Sequence, residues 1–246
     1  MKSVQKGERE NCFSFADWRG YMLIGSRIQS FFHSIMSDPV AFILQIIVIL
    51  TSLILHECAH AYVALKCGDP TAKYLGRLTM DPRKHLDPIG TVCMIVLGVG
   101  WAKPVPVNPR NFKNYRRDDL LVSLAGIAMN LLLSLIGTFF YVLIYKKVRT
   151  GGDFVYYLFM FFQYLAYMNI ALAVFNLLPI PPLDGYHVIN DILLRGRFQL
   201  NAQTFQVAQI ILIVLCISGA LSGVLSTVDS ALFGVFRSFF MSIIPG

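Results

Sequence analysis

Of the 246 residues, 56% are hydrophobic and 14% charged, against about 45 to 50% and about 25% in soluble domains. One soluble core in a 27.7 kDa chain cannot hide that much apolar surface, so lipid must solvate part of it. The net charge of +7 does not point to nucleic acid, because Lys and Arg cluster between apolar stretches, where they face anionic headgroups and set topology.

In chain order, Phe13, Phe15, Trp18, Tyr21, Ile24, Ile28, Phe31, Phe32 and Ile35 recur at helical spacing, while Arg19, Arg27 and His33 interrupt any spanning run. Residues 1–38 are therefore expected to hold an interfacial amphipathic helix. Glu8, Glu10 and Asp17 sit where a signal peptide would be basic, so the start is read as retained. Residues 39–246 are read as a single membrane-embedded domain without repeats. Its first span opens at Pro39 and continues through a polar cluster to Leu65.

Residues 66–88 are polar and turn-rich, and a weak two-residue alternation over 71–80 predicts a short β-hairpin. Residues 89–99 are apolar but too short for a confident crossing, and are expected to be re-entrant. A basic, proline-containing loop over 103–117 leads into spans at about 120–145 and 154–178. Pro179, Pro181 and Pro182 stop the second of these, since proline lacks the helical donor and clashes with the preceding turn. A last span is expected at about 202–225, with 231–244 either interfacial or a shallow return. The fold class is thus an all-α polytopic helical bundle with a β-hairpin and re-entrant element between its first two core spans. The five cysteines, odd in number and mostly in apolar surroundings, are expected to be reduced.

The chemistry concentrates at His56-Glu57-Cys58-Ala59-His60. Histidines four apart share one helical face, so both imidazoles can reach a single metal while the glutamate stands beside it. Glu57 is the only glutamate after residue 10 and lies about 13 Å of helix rise inside Lys66. Burying a carboxylate there is costly, which argues for function over ordinary helix surface. A catalytic zinc keeps three protein ligands and one open position. Taken alone, Asp184 before Gly185 reads equally as a turn aspartate; beside the histidine pair it becomes the favoured third ligand. Cys58 projects to another face and reads as packing. His187 reads as a spare interfacial histidine, and His85 has no assigned mechanism.

Topology gives an independent constraint. His56 and His60 lie toward the end of one span and Asp184 just past the end of another, so residues 89–99 must not make an additional crossing. The loops flanking that segment, 66–88 and 103–117, each carry five Lys/Arg, which places both in the cytosol. The five basic groups of the first 27 residues would then lie outside, partly offset by three acids.

The sequence resembles the site-2 protease family of intramembrane zinc metalloproteases, in the compact form without PDZ or CBS domains. The resemblance rests on HECAH at 56–60, DPRKHLDPIGT at 81–91, GWAKPVPVNPRNFKN at 100–114, AGIAMN at 125–130 and NLLPIPPLDG at 176–185. It departs from the family at Ile127, where proline is frequent, and at Cys58-Ala59. The resemblance implies one Zn2+ per chain held by His56, His60 and Asp184, with Glu57 as general base. The expected substrate is a membrane protein whose transmembrane helix is cleaved, the partner surface is the lipid bilayer, and the location is a prokaryotic cell membrane. An extended substrate is expected to pair with a strand edge in 71–80. Asn130 and Asn176 are read either as contacts to substrate or oxyanion, or equally as interhelical hydrogen bonds. The competing readings are a transporter or metal carrier using the same His/Asp cluster, and an inactive scaffold.

Overall fold

A computed structural model describes residues 24–97, 100–148, 151–193 and 201–245. The expected N-terminal amphipathic segment is described only from Ile24, as helix α1 (Ile24–Ser37), whose Phe31 ring meets Phe42. The chain turns directly into α2 (Pro39–Cys67). The Asp38 carboxylate caps the Ala41 amide at 3.0 Å, and Pro39 occupies a first-turn position where its missing donor is not needed.

No strand forms between 71 and 80, and the expected hairpin is corrected. Those residues make a helical turn, α3 (Thr71–Tyr74), and then irregular backbone. The reason is local: the Asp69 carboxylate accepts from the Thr71 amide at 3.1 Å and from the Thr71 hydroxyl, side-chain bonds that favour a helical turn over an extended strand. The strand edge proposed to receive substrate there is accordingly absent. A second short turn, α4 (Pro82–His85), precedes α5 (Pro88–Leu97). An antiparallel bridge joins Leu86 to Ala102, and the Lys103 amide donates to the His85 carbonyl at 2.7 Å. Both ends of the α5 excursion therefore meet, as a non-crossing segment requires.

After a 3-10 turn (Pro109–Asn111) the chain forms α6 (Tyr115–Lys147), capped by the Asn114 side chain on the Arg117 amide, and then α7 (Asp153–Asn176). Leu177 caps α7, and the proline-rich turn, in which the Pro181–Pro182 bond is cis, delivers the chain to α8 (Asp184–Ile192).

The end of the chain also differs from expectation. The single span over 202–225 is broken into α9 (Ala202–Ser218) and α10 (Ser222–Ile243), because Gly219 adopts φ 73° and closes α9 with its amide on the Cys216 carbonyl. Among the described residues, the fourth helix long and apolar enough to cross a bilayer is thus α10, beside α2, α6 and α7. It is held by aromatic packing: Phe233 stacks on Tyr167 of α7 at 3.9 Å and meets Tyr141 of α6 edge-on at 5.7 Å, around buried Ala166 and Ile170. Helices α2, α6 and α7 pack against one another, and α8 lies against α6. That arrangement brings the end of α2 and the start of α8 to the same place.

Candidate metal centre

Both histidines of α2 face α6. His60 Nδ1 donates to the Val122 carbonyl at 2.7 Å, which fixes the ring and leaves the Nε2 lone pair free. His56 Nδ1 lies 3.1 Å from the side-chain amide of Asn130. Val122, Gly126 and Asn130, spaced four apart, form one stripe of α6, and the middle member lies against both rings. A Cβ built on Gly126 would collide with His56 and with His60 Nε2, so only glycine lets the backbone of α6 come so near. Sequence reasoning missed Gly126. Its signal was the glycine four residues before Asn130 in AGIAMN.

Asp184 enters from the first turn of α8. That helix is tied to the start of α6 by Arg116 Nη2, which donates to the Asp191 carbonyl at 2.6 Å, and by His187 Nδ1, 3.4 Å from Asp119 Oδ2. The result is a tight triangle: His56 Nε2 and His60 Nε2 are 2.9 Å apart, and each is 3.3 Å from Asp184 Oδ2. Burial alone would raise the Asp184 pKa, but the two imidazoles beside it hold its carboxyl below the usual carboxylate range.

The Glu57 carboxylate reaches the loop after α5, where its Oε2 accepts the Val105 amide at 2.9 Å. Asn130 is fully buried behind His56, and its Oδ1 has no partner. Asn176 donates to the Leu172 carbonyl of its own helix at 2.9 Å. Cys58 Sγ donates to the Thr79 carbonyl at 3.0 Å, and the fully buried His85 reaches the same carbonyl through Nε2 at 2.7 Å. Both side chains thus hold the loop before α4. None of the described cysteines forms a disulfide.

The triangle fits a metal. A tetrahedral zinc with ligands at about 2.0 to 2.1 Å separates them by about 3.3 Å, the spacing of two of the three edges here. The donor set, two imidazoles and a carboxylate, is also that of a catalytic zinc with its fourth position open. Among the described residues no other group of three His, Cys, Asp or Glu converges this way.

The profile of peptidase family M50 matches residues 44–219, most of the chain and the whole of this site. The chain belongs to peptidase family M50, the site-2 proteases. It is 48% identical over 158 residues to YwhC of Bacillus subtilis (strain 168), named as a candidate zinc metalloprotease; the match covers 61% of this chain and 69% of that protein. It is 32% identical over 180 residues to Rip2 of Mycobacterium tuberculosis (strain ATCC 25618 / H37Rv), named likewise, covering 71% of this chain and 66% of that one. Rip2 of Mycolicibacterium smegmatis is 33% identical over 187 residues, with 74% and 69% covered. No solved structure gives a significant match. The family and the four apolar helices together make the chain an integral-membrane metalloprotease.

Proposed function

We propose that His56, His60 and Asp184 bind one zinc ion, that Glu57 is the general base, and that the chain cleaves a peptide bond in a transmembrane helix of a membrane-protein substrate. The observation that carries this reading is the donor triangle, with Asp184 Oδ2 within 3.3 Å of both imidazole nitrogens. Bound there, zinc supplies a Lewis acid for the scissile carbonyl and brings the pKa of a coordinated water toward about 7. The protein does the rest. Glu57 takes the proton of the attacking water and passes it to the leaving amine. The Val122 carbonyl holds His60 in the tautomer that leaves Nε2 unprotonated.

Asn130 does the same for His56. A metal on Nε2 requires the proton on Nδ1, and turning the Asn130 amide over places Oδ1 to accept that proton. The turn also gives a partner to an otherwise orphaned buried oxygen. Asn130 is thus a positioning residue behind the ligand. Asn176, at the end of α7 just before the turn that delivers Asp184, is assigned to substrate contact.

The site opens toward the cytosol of a prokaryotic cell membrane. Support comes from the basic residues of 66–88 and 103–117, the two loops bracketing α5 on the side where its ends meet. The bacterial relatives point to the same kind of membrane. A transmembrane substrate must unwind before attack, because its backbone groups are already paired within the helix.

The test replaces Glu57 with Gln in cells and compares their membrane proteins with wild type. Membrane-anchored species should accumulate in the variant while purified protein still binds zinc. Unchanged membrane proteins, or loss of zinc on this isosteric change, would contradict the assignment.

A further inference from the structure

The Glu57 carboxylate is held by backbone, and the way that backbone is held shows what positions the base. Pro104 and Pro106 have no N–H, so Val105 supplies the sole amide of residues 104–106, and it donates to Glu57 Oε2 at 2.9 Å. The carbonyl of the same peptide unit, that of Pro104, accepts from Arg77 Nη2 at 3.0 Å; the same nitrogen donates to the preceding carbonyl, that of Lys103, at 2.6 Å. In a trans peptide the C=O and N–H point in opposite directions. The Pro104–Val105 peptide is therefore clamped with a guanidinium on its oxygen and a carboxylate on its N–H, with its dipole aligned between the two charges. Each hydrogen bond polarises the peptide in the sense that strengthens the other.

The rest of the segment keeps this peptide in register. Lys103 is tied to the His85 carbonyl at 2.7 Å, and the Asn108 amide donates to Asp69 Oδ2 at 2.7 Å. The Asp69 carboxylate is itself fully buried and also accepts from Asn111 Nδ2 at 2.8 Å. One oxygen of Glu57 is thus fixed from outside its own helix, and Oε1 remains to meet the water.

We infer that Arg77, acting through the Pro104–Val105 peptide, is a positioning residue for the Glu57 base, and that the Val105 N–H is the group it aims. The inference rests on Glu57 being the base.

The decisive comparison is Val105→Pro against Val105→Ala in the full-length protein, since both remove the valine side chain and only the first removes the N–H. Cleavage by the proline variant should show a kcat at least about 10-fold below that of the alanine variant, the worth of one hydrogen bond to a charged group. KM and bound zinc should match between the two. Arg77→Ala should lower kcat similarly, with partial recovery on adding free guanidinium.

A readout independent of catalysis is hydrogen exchange in metal-free protein, where the Val105 amide should exchange faster in Glu57→Ala than in wild type. Should Val105→Pro fail to fold, the guanidinium rescue and the exchange measurement decide. Equal kcat in the two Val105 variants, a loss in Arg77→Ala that guanidinium does not touch, or unchanged exchange would each overturn the inference. Wild-type protein that binds zinc yet cleaves nothing would instead strike at the proposed function, leaving the exchange result to judge the clamp.

Discussion

Asn130 and His56 meet side chain to side chain, 3.1 Å apart, on the face of the imidazole away from Asp184. That placement separates two roles an asparagine could have here. A residue that braces a ligand changes metal affinity, whereas one that binds an oxyanion changes turnover. Asn130→Ala should weaken zinc binding by about 10- to 100-fold, the usual effect of removing a ligand's hydrogen-bond partner. Competition against a chromogenic chelator measures it. Wild-type affinity with a large fall in kcat would move Asn130 into contact with the substrate.

Gly126 faces the same rings without a side chain to yield. A methyl group there would meet His56 and His60 Nε2 below any acceptable contact distance. Gly126→Ala should therefore displace α6 or the imidazoles, at a cost of about 1 to 3 kcal/mol, typical of overpacking. The measurable consequence is loss of zinc from a protein that still inserts into membranes. A variant with wild-type zinc affinity and activity would show that the helices part more readily than this packing implies.

A pH dependence arises where α8 joins α6. Burial, with help from the neighbouring Asp119 charge, pushes the Asp191 carboxyl up to about 6. His187 is raised too, chiefly by its hydrogen bond to Asp119. An unfolded aspartate titrates near 3.9, so between about pH 4 and 6 the folded chain binds a proton that the unfolded chain does not. Stability from the Asp191 carboxyl is therefore fully present below about pH 4 and is lost as pH rises through about 6, and the raised His187 acts in the same direction at higher pH. Asp191→Asn should then be more stable than wild type by a margin that widens from pH 5.5 to pH 8. Melting temperatures of both proteins at the two pH values check it, since effects at the metal are common to both; a margin that narrows would contradict it.

Much of the candidate site was legible because its chemistry is local or rare in this composition. His56 and His60 declare themselves by spacing, Glu57 by being a carboxylate in an apolar run, and Asp184 by following a proline break. The geometry brings the two histidines and the aspartate to one point. What was not legible depends on partners distant in sequence. The Val105 amide looks like any other until the loop after α5 is laid beside α2, and Gly126 is one of 18 glycines until α6 crosses the histidines.

The fold errors have equally local causes. The alternation in 71–80 was outweighed by Asp69, whose hydrogen bonds to Thr71 wind a helical turn. The apolar run through 202–225 hid a helix end, because Gly219 interrupts hydropathy no more than its neighbours do yet takes a left-handed conformation. Seeing α10 join the bundle as a helix long enough to cross required knowing that Phe233 finds Tyr167 and Tyr141.

The most direct test of the metal centre is zinc affinity in wild type and in Asp184→Ala, measured on purified full-length protein. Wild type should bind close to one zinc per chain, and removing the carboxylate should weaken binding by more than about 100-fold, beyond the effect of losing a supporting partner. Zinc held by Asp184→Ala as tightly as by wild type would contradict the three-ligand centre.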